Sequence, residues 1–314
     1  MSRGRDDSLE REPAETRQGP TAPAREVSVR PREGPASAFH LPRGVQREPV
    51  LVRGRRYRLR GSESRLLEVV GTFRAVFTRD LVHGTHAGDP RQLAADVHAL
   101  TAQGLVQHRR LAADRHGHTV VALSLTDAGK VLLEHHRTGT PSGFNGRPQA
   151  VYSGWVRPAE LVHDATLYRM YLEEAARITR EGGTVRRIVL DHELKGDLYR
   201  ALHVDPAMPP ADRDTRLHAL AATHHLTVVD GHVQFPDLRL EVETAAGERT
   251  RVDLELATEA YHAGHLRAKA RAGFTVYRAS AGHGGAGRLV RGGGSEGRGG
   301  AGYHPDYLSG LLSL

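Results

Sequence analysis

The sequence predicts a mixed α/β chain, α+β in layout, with two patterned blocks between a disordered N-terminal arm and a Gly-rich C-terminal segment. Three observations predict it. Apolar residues recur at helical spacing in some stretches and alternate at strand spacing in others, within residues 50–137 and again within 150–280. A turn-rich stretch at 138–149, including Pro141, Gly143, Gly146 and Pro148, separates the two blocks. Both ends lack periodicity: residues 1–48 are rich in Pro, Arg, Glu and Ala, and residues 281–302 of the 281–314 tail hold 11 Gly.

Composition narrows the chemistry. The 314 residues include no Cys, so disulfides, thiolate metal sites and cysteine nucleophiles are excluded. No apolar run approaches a bilayer-spanning length, and the charged stretch Ser2–Pro13 lacks the apolar core of a signal peptide. The expectation is a soluble, cytoplasmic bacterial protein with no membrane partner. Of the net charge of +7, residues 1–60 carry +6, from 14 basic and 8 acidic side chains. Arg53, Arg55, Arg56, Arg58 and Arg60, interleaved with Tyr57, read either as a mobile basic arm suited to phosphate contact or as a solvated tail.

In the first block, Ser62 or Ser64 is placed to cap a helix bearing Leu66, Leu67, Val69, Val70 and Phe73, and Thr78 a short second one. Asp89-Pro90 supplies an N-cap and a first-turn proline for a third helix, with Leu93, Val97 and Leu100 on its apolar side. After Gly104 come two strands, Leu105–Arg110 and Thr119–Leu125, around the polar tip 114–118, and then a last helix from Thr126. This order, with Gly104-Leu105-Val106 before the hairpin and Leu125-Thr126-Asp127-Ala128-Gly129 after it, resembles the winged-helix domains of bacterial regulators. The resemblance implies that the helix from Pro90 to Gln103 enters a major groove of double-stranded DNA. Arg91, Arg109, Arg110 and Arg115 are then the DNA-binding residues. Winged helices also serve as protein-docking modules, and Asp96 on the same helix dilutes its positive charge.

The second block opens on a long amphipathic helix, Pro158 to Arg180, followed by a strand at 185–190, a helix from Asp191 through Leu202 and another at 214–224. A small hairpin follows at 226–235, then strands at 236–243 and 249–256, a helix at 259–271 and a strand at 274–277. Leu238, Leu240 and Val242 share a core face with Val252, Leu254 and Leu256. Antiparallel pairing with residue numbers summing to 492 sets Glu243 against Arg249, Glu241 against Arg251 and Arg239 against Asp253, on a face expected to be solvated. The same register sets Asp237 against Glu255. Two facing carboxylates cost about 1 kcal/mol in water and about 4 at intermediate dielectric, so they call for a proton, a cation or splaying into solvent. Only Lys130, Lys195 and Lys269 occur among 44 basic residues, and two of them flank this acidic stretch.

Pro236-Asp237, standing 18 residues before Glu255 with helix and strand on either side, resembles the restriction-endonuclease-like fold and its Pro-Asp…Asp/Glu-x-Lys signature. By that resemblance Asp237 and Glu255 are catalytic metal ligands for Mg²⁺, whose bound water attacks a phosphodiester. The signature lysine is replaced by Ala257, so the amine comes from Lys269, comes from Lys195, or is absent. The whole arrangement is similar to the replication-relaxation proteins of bacterial plasmids and other mobile elements. The phrases that carry this are His163-Asp164, Asp253-Leu254-Glu255-Leu256-Ala257-Thr258-Glu259, and Lys269 with Phe274-Thr275-Val276-Tyr277. The implied function is DNA binding in replication, mobilisation or maintenance, beside other replication or mobilisation proteins, with Lys269 completing the catalytic group. The alternative is a non-enzymatic regulator or docking adaptor. Glu259, His262 and His265 lack the spacing of zinc-protease helices.

Overall fold

The computed structural model describes residues 38–112, 119–138, 143–144, 146–202, 209–257, 262–278 and 287–290. The polar tip at 114–118 with Arg115, Glu259, residues 1–37 of the N-terminal arm and most of the C-terminal segment lie outside them. No helix among the described residues is long and apolar enough to cross a membrane.

The arginine-rich stretch read as a mobile arm forms a β-hairpin instead, with β1 at Glu48–Val52 and β2 at Arg55–Leu59. Val50 and Val52 alternate with exposed residues, as do Tyr57 and Leu59, so one face is buried. Arg53 and Gly54 both take positive φ, as a tight two-residue connection of twisted strands requires. Phe39 and Leu41 are buried as well, so residues 38–47 belong to the packed body rather than to a loose arm.

α1 (Gly61–Phe73), β3 (Val76–Phe77), α2 (Thr78–His86) and α3 (Pro90–Ala102) follow. Neither Ser62 nor Ser64 caps α1, because both lie inside it; the Arg60 backbone N–H donates to the Glu63 carboxylate at 2.9 Å. Phe77, not Thr78, is the N-cap of α2. The expected cap on α3 is present: Asp89 Oδ1 accepts from the backbone N–H groups of Arg91 and Gln92. β4 (Val106–Ala112), β5 (Thr119–Leu125) and α4 (Asp127–His135) close this part, and the sheet order is β3-β5-β4, antiparallel throughout.

α5 (Pro158–Arg180) spans the range its apolar stripe predicts. β6 (Thr184–Leu190), α6 (Asp191–Leu202), α7 (Pro210–Thr223), the short hairpin β7 (Val228–Val229) and β8 (His232–Val233), β9 (Leu238–Glu243), β10 (Arg249–Ala257), α8 (Ala263–Arg271) and β11 (Thr275–Arg278) follow in order. The five-stranded sheet runs β12-β11-β10-β9-β6, and its edge strand β12 (Gly287–Val290) comes from the segment expected to be a flexible linker. β9 is antiparallel to both of its neighbours, β6 and β10, while α8 carries the chain across so that β11 runs parallel to β10.

The β9–β10 register is the one the charges dictated: Glu243↔Arg249, Glu241↔Arg251, Arg239↔Asp253 and Leu254↔Leu238. Its second face is not solvated, however. Arg239 and Glu241 are buried along with the apolar face of β9. Arg239 holds Asp253 at 2.6 and 2.8 Å and donates to the carbonyls of His224 and His225 at the end of α7. Glu241 accepts from the Phe144 backbone N–H at 2.9 Å. The end of α7, Phe144 and Pro148 cover that face, which period alone cannot reveal. Gln149 also pairs its amide with both backbone groups of Ile188, each at 2.9 Å, closing the open edge of β6.

One continuous apolar cluster runs from Val50 through Phe73 and Tyr168 to Leu254 and Tyr277, so α5 packs on the first block as well as on the second sheet. Tyr168 meets Phe73 edge-on at 5.1 Å, and a Cβ on Gly84 of α2 would lie 2.1 Å from the Tyr168 hydroxyl. Arg169 grips Asp80 with two bonds at 3.0 Å, and Arg74 reaches Asp164 at 3.4 Å. The linker therefore joins blocks that share a core.

Candidate functional site

β9 and β10 bring Asp237 and Glu255 together where their shared register ends. Glu255 Oε2 accepts from the Asp237 backbone N–H at 3.3 Å, and Asp237 Oδ2 accepts from the Leu256 backbone N–H at 2.8 Å. The two carboxylates are thus cross-linked through each other's strand rather than splayed apart.

The pair is met by a lysine and a histidine rather than by an arginine. Lys269, on α8, lies with Nζ 2.9 Å from Glu255 Oε1 and donates to the Phe235 carbonyl at 2.6 Å. His163, on the first turns of α5, places Nε2 3.4 Å from Asp237 Oδ1 and Nδ1 3.5 Å from Asp164 Oδ1. Burial works against a charged ring there, but the two carboxylates outweigh it and His163 is pushed up to about 10. It is an imidazolium at neutral pH.

A second cation borders this group. Lys195 Nζ lies 2.7 Å from Asp191 Oδ2, and the Asp191 backbone N–H donates to the Asp237 carbonyl at 3.2 Å. Burial raises the Asp191 carboxyl, yet contacts with His192 and Lys195 dominate and hold it well below the ordinary range. Lys195 is opposed by burial but raised by Asp191 and, more weakly, by Asp237. Two of the three lysines thus gather around the paired carboxylates, while Lys130 lies elsewhere, 3.9 Å from Glu134. Exposure rises outward, from none at Glu255, through 15% at Asp237 and 16% at Lys269, to 31% at His163.

Mg²⁺ takes hard oxygen ligands and is commonly held by one or two carboxylates plus substrate phosphate and water. Asp237 and Glu255 match that donor type. Among the described residues no group of three or more His, Asp or Glu side chains is arranged around a common ion position. An ion at this place competes with Lys269 for Glu255 and with His163 for Asp237.

In the first block, Arg91 is exposed on the first turn of α3, and Arg109 and Arg110 are exposed on β4. The Arg109 guanidinium stacks over the Trp155 ring at 4.8 Å. Asp96 does not dilute the exposed charge of α3. It is fully buried, bonded to Arg60 and 3.0 Å from His86 Nε2. His163 is the residue whose role sequence reasoning missed. The signal was available: His163 and Glu174 fall on the α5 stripe with Leu167 and Met170, and polar members of an apolar stripe require buried partners.

Compared with family models, with curated proteins and with solved structures, the chain matches none.

Proposed function

We propose that this chain is a double-stranded-DNA-binding protein whose C-terminal α/β part hydrolyses phosphodiester bonds with Mg²⁺. The observation that carries the reading is the convergence of Asp237, Glu255 and Lys269 from two strands and the crossover helix behind them. The strand order β6-β9-β10-β11, with α5 before it and α8 making the parallel crossover, is the layout expected of a restriction-endonuclease-like fold. Asp237 and Glu255 would hold the ion, which when bound supplies Lewis-acid charge and an activated water. The chain's own part is to fix those carboxylates through the Leu256 and Asp237 backbone N–H groups. Lys269, in the place left by Ala257, offsets charge on Glu255, and Lys195 and His163 present positive charge to an approaching phosphate.

The order helix, short strand, two helices, hairpin and helix over residues 61–135 supports a winged helix, with α3 as the reading helix and Arg91, Arg109 and Arg110 as phosphate contacts. A cytoplasmic role in replication, mobilisation or maintenance of a plasmid or other mobile element, beside other replication proteins, rests on the family resemblance. A non-enzymatic regulator is the second reading. It is favoured by the partners already on all four carboxylate oxygens and by Ala257 at the motif position.

A plasmid-nicking assay with Mg²⁺ or Mn²⁺ separates the two. The enzyme reading expects nicking by the wild type and at least 100-fold less from Asp237→Ala and from Glu255→Ala. No nicking, together with no heat of metal binding in calorimetry, retires the enzyme and leaves the binding protein.

A further inference from the structure

Hairpin β1–β2 carries the densest run of arginines in the sequence, and neither the sheet site nor α3 uses it. Arg53, Arg55, Arg56 and Arg58 are all exposed, and among the described residues none of them has a carboxylate partner. In contrast, the neighbouring Arg43, Arg47 and Arg60 are each tied to an acidic side chain, Glu68, Glu63 and Asp96. The chain thus neutralises the arginines at the base of the hairpin and leaves those along its length without a carboxylate, Arg58 reaching the Arg47 carbonyl at 3.4 Å and Arg55 lying over the Tyr57 ring at 5.6 Å.

The hairpin is also held rigidly, and it is held beside α3. The Gln103 side chain, at the C-terminal cap of α3, accepts from the Arg58 N–H at 2.8 Å and donates to the Arg58 carbonyl at 3.1 Å. This pairing mimics a neighbouring strand along the outer edge of β2. On the opposite edge His136, after α4, contacts the Leu51 carbonyl at 3.3 Å. Val50, Val52, Tyr57 and Leu59 anchor the inner face in the common core. Arg60, at the base, is bonded to Asp96 within α3. The hairpin therefore projects from the end of α3 at a fixed place, not as a tether.

We propose that β1–β2 is a phosphate-binding arm for duplex DNA, extending the α3 surface along the backbone through Arg53, Arg55, Arg56 and Arg58. The proposal rests on the DNA-binding reading and adds a contact surface to it. At about 3.3 Å per strand residue Arg55 to Arg58 span roughly 10 Å along β2, equivalent to about three base pairs at 3.4 Å each, with Arg53 at the turn beyond them. Guanidinium groups on a stiff scaffold suit phosphate oxygens, because little side-chain and backbone freedom is lost on contact. The contacts carry no sequence information, so the arm acts on affinity and register while α3 reads bases.

The test is a salt titration of full-chain binding to a 30-base-pair duplex, read by fluorescence anisotropy. Three variants are compared: Arg53, Arg55, Arg56 and Arg58 all to Ala; the same four to Lys; and Arg53→Ala with Arg56→Ala alone. The alanine set is expected to flatten the log–log salt slope by about 3 to 4 and to weaken binding at least 10-fold at low salt. The lysine set keeps most of the slope, and the double variant loses about half of that change. Thermal melting by circular dichroism checks the fold, and the double variant, which spares Arg55 over Tyr57 and the Arg58 bond to the Arg47 carbonyl, serves if the alanine set melts early. A slope altered by less than about 1 in folded variants overturns the arm, and if Arg91→Ala with Arg110→Ala still weakens binding, the α3 reading survives. A wild type without duplex affinity overturns both.

Discussion

Two carboxylate clusters in this chain use the same ingredients and differ in access. In the first block Asp96 sits among Arg60, His86 and Thr85, with Asp96 and His86 both fully buried. In the second, Asp237 and Glu255 sit among Lys269, His163 and, one step away, Lys195, with exposure graded from none at Glu255 to 31% at His163. Each has carboxylate, imidazole and side-chain cation. The first cluster ties the β2–α1 junction to α2 and α3, and its carboxylate and imidazole are both sealed; only the Arg60 guanidinium, 21% exposed, reaches the surface. The second cluster is closed at Glu255, but its other carboxylate and its imidazole, 15% and 31% exposed, are open at the rim. Pairing of charge, by itself, does not tell the two apart.

The sharpest way to break the comparison is to remove the sealed carboxylate. Asp96→Ala strands Arg60 and His86, and is expected to destabilise the fold by about 3–5 kcal/mol, as for other broken buried pairs. The urea midpoint reports it, with an unchanged denaturant slope indicating an intact unfolding reaction. Burial raises the Asp96 carboxyl, but hydrogen bonds from His86, Ser62 and Arg60 more than compensate and the net shift is downward. A lowered folded-state value means that this stabilisation is present above the ordinary Asp range and lost as acid protonates the folded carboxyl. An Asp96→Ala protein as stable as the wild type at pH 7 contradicts the structural assignment.

The open cluster should respond less. Lys269→Met leaves Glu255 buried without its closest cation, but the rim admits water, so the expected cost is about 1–3 kcal/mol. Adding Glu255→Gln removes the stranded charge, and the double variant should recover part of the loss. Strictly additive losses would mean that the 2.9 Å contact couples nothing.

What the sequence made legible follows from where the information sits. The β9–β10 register was readable because Glu243, Glu241 and Arg239 face Arg249, Arg251 and Asp253, a pattern only one offset satisfies. Asp237 and Glu255 came with it, since they are the next pair. The ranges of α5 and α3 were readable from an apolar stripe and from Asp89-Pro90. The neutralising Lys269 was legible as a candidate but its contact was not, because it depends on how the crossover helix α8 settles on the sheet. Burial of Arg239 and Glu241 was hidden for the same reason: the end of α7 and Phe144, which cover them, lie outside the strand pair whose period is read. In β1–β2 the alternation of Val50 with Val52 and of Tyr57 with Leu59 is real, yet five-residue strands full of arginine resemble a charged tail. β3, with two residues, has no period to read.

The smallest effect concerns the rim. His163 has a folded-state value of about 10, raised by Asp164 and Asp237 against the opposing effect of burial. A raised value contributes stability that is complete below the unfolded histidine value near 6.5 and fades as pH climbs to about 10. His163→Gln should therefore cost about 1 kcal/mol near pH 6, in the range of partly solvated pairs, and close to nothing at pH 10.5. Chemical denaturation of both proteins across that window checks it. The sign is the informative part. If the ring were neutral in the fold, the wild type would gain relative to the variant as pH rose. A difference that shrinks with rising pH means that an imidazolium holds Asp237, and that any ion arriving there must displace it.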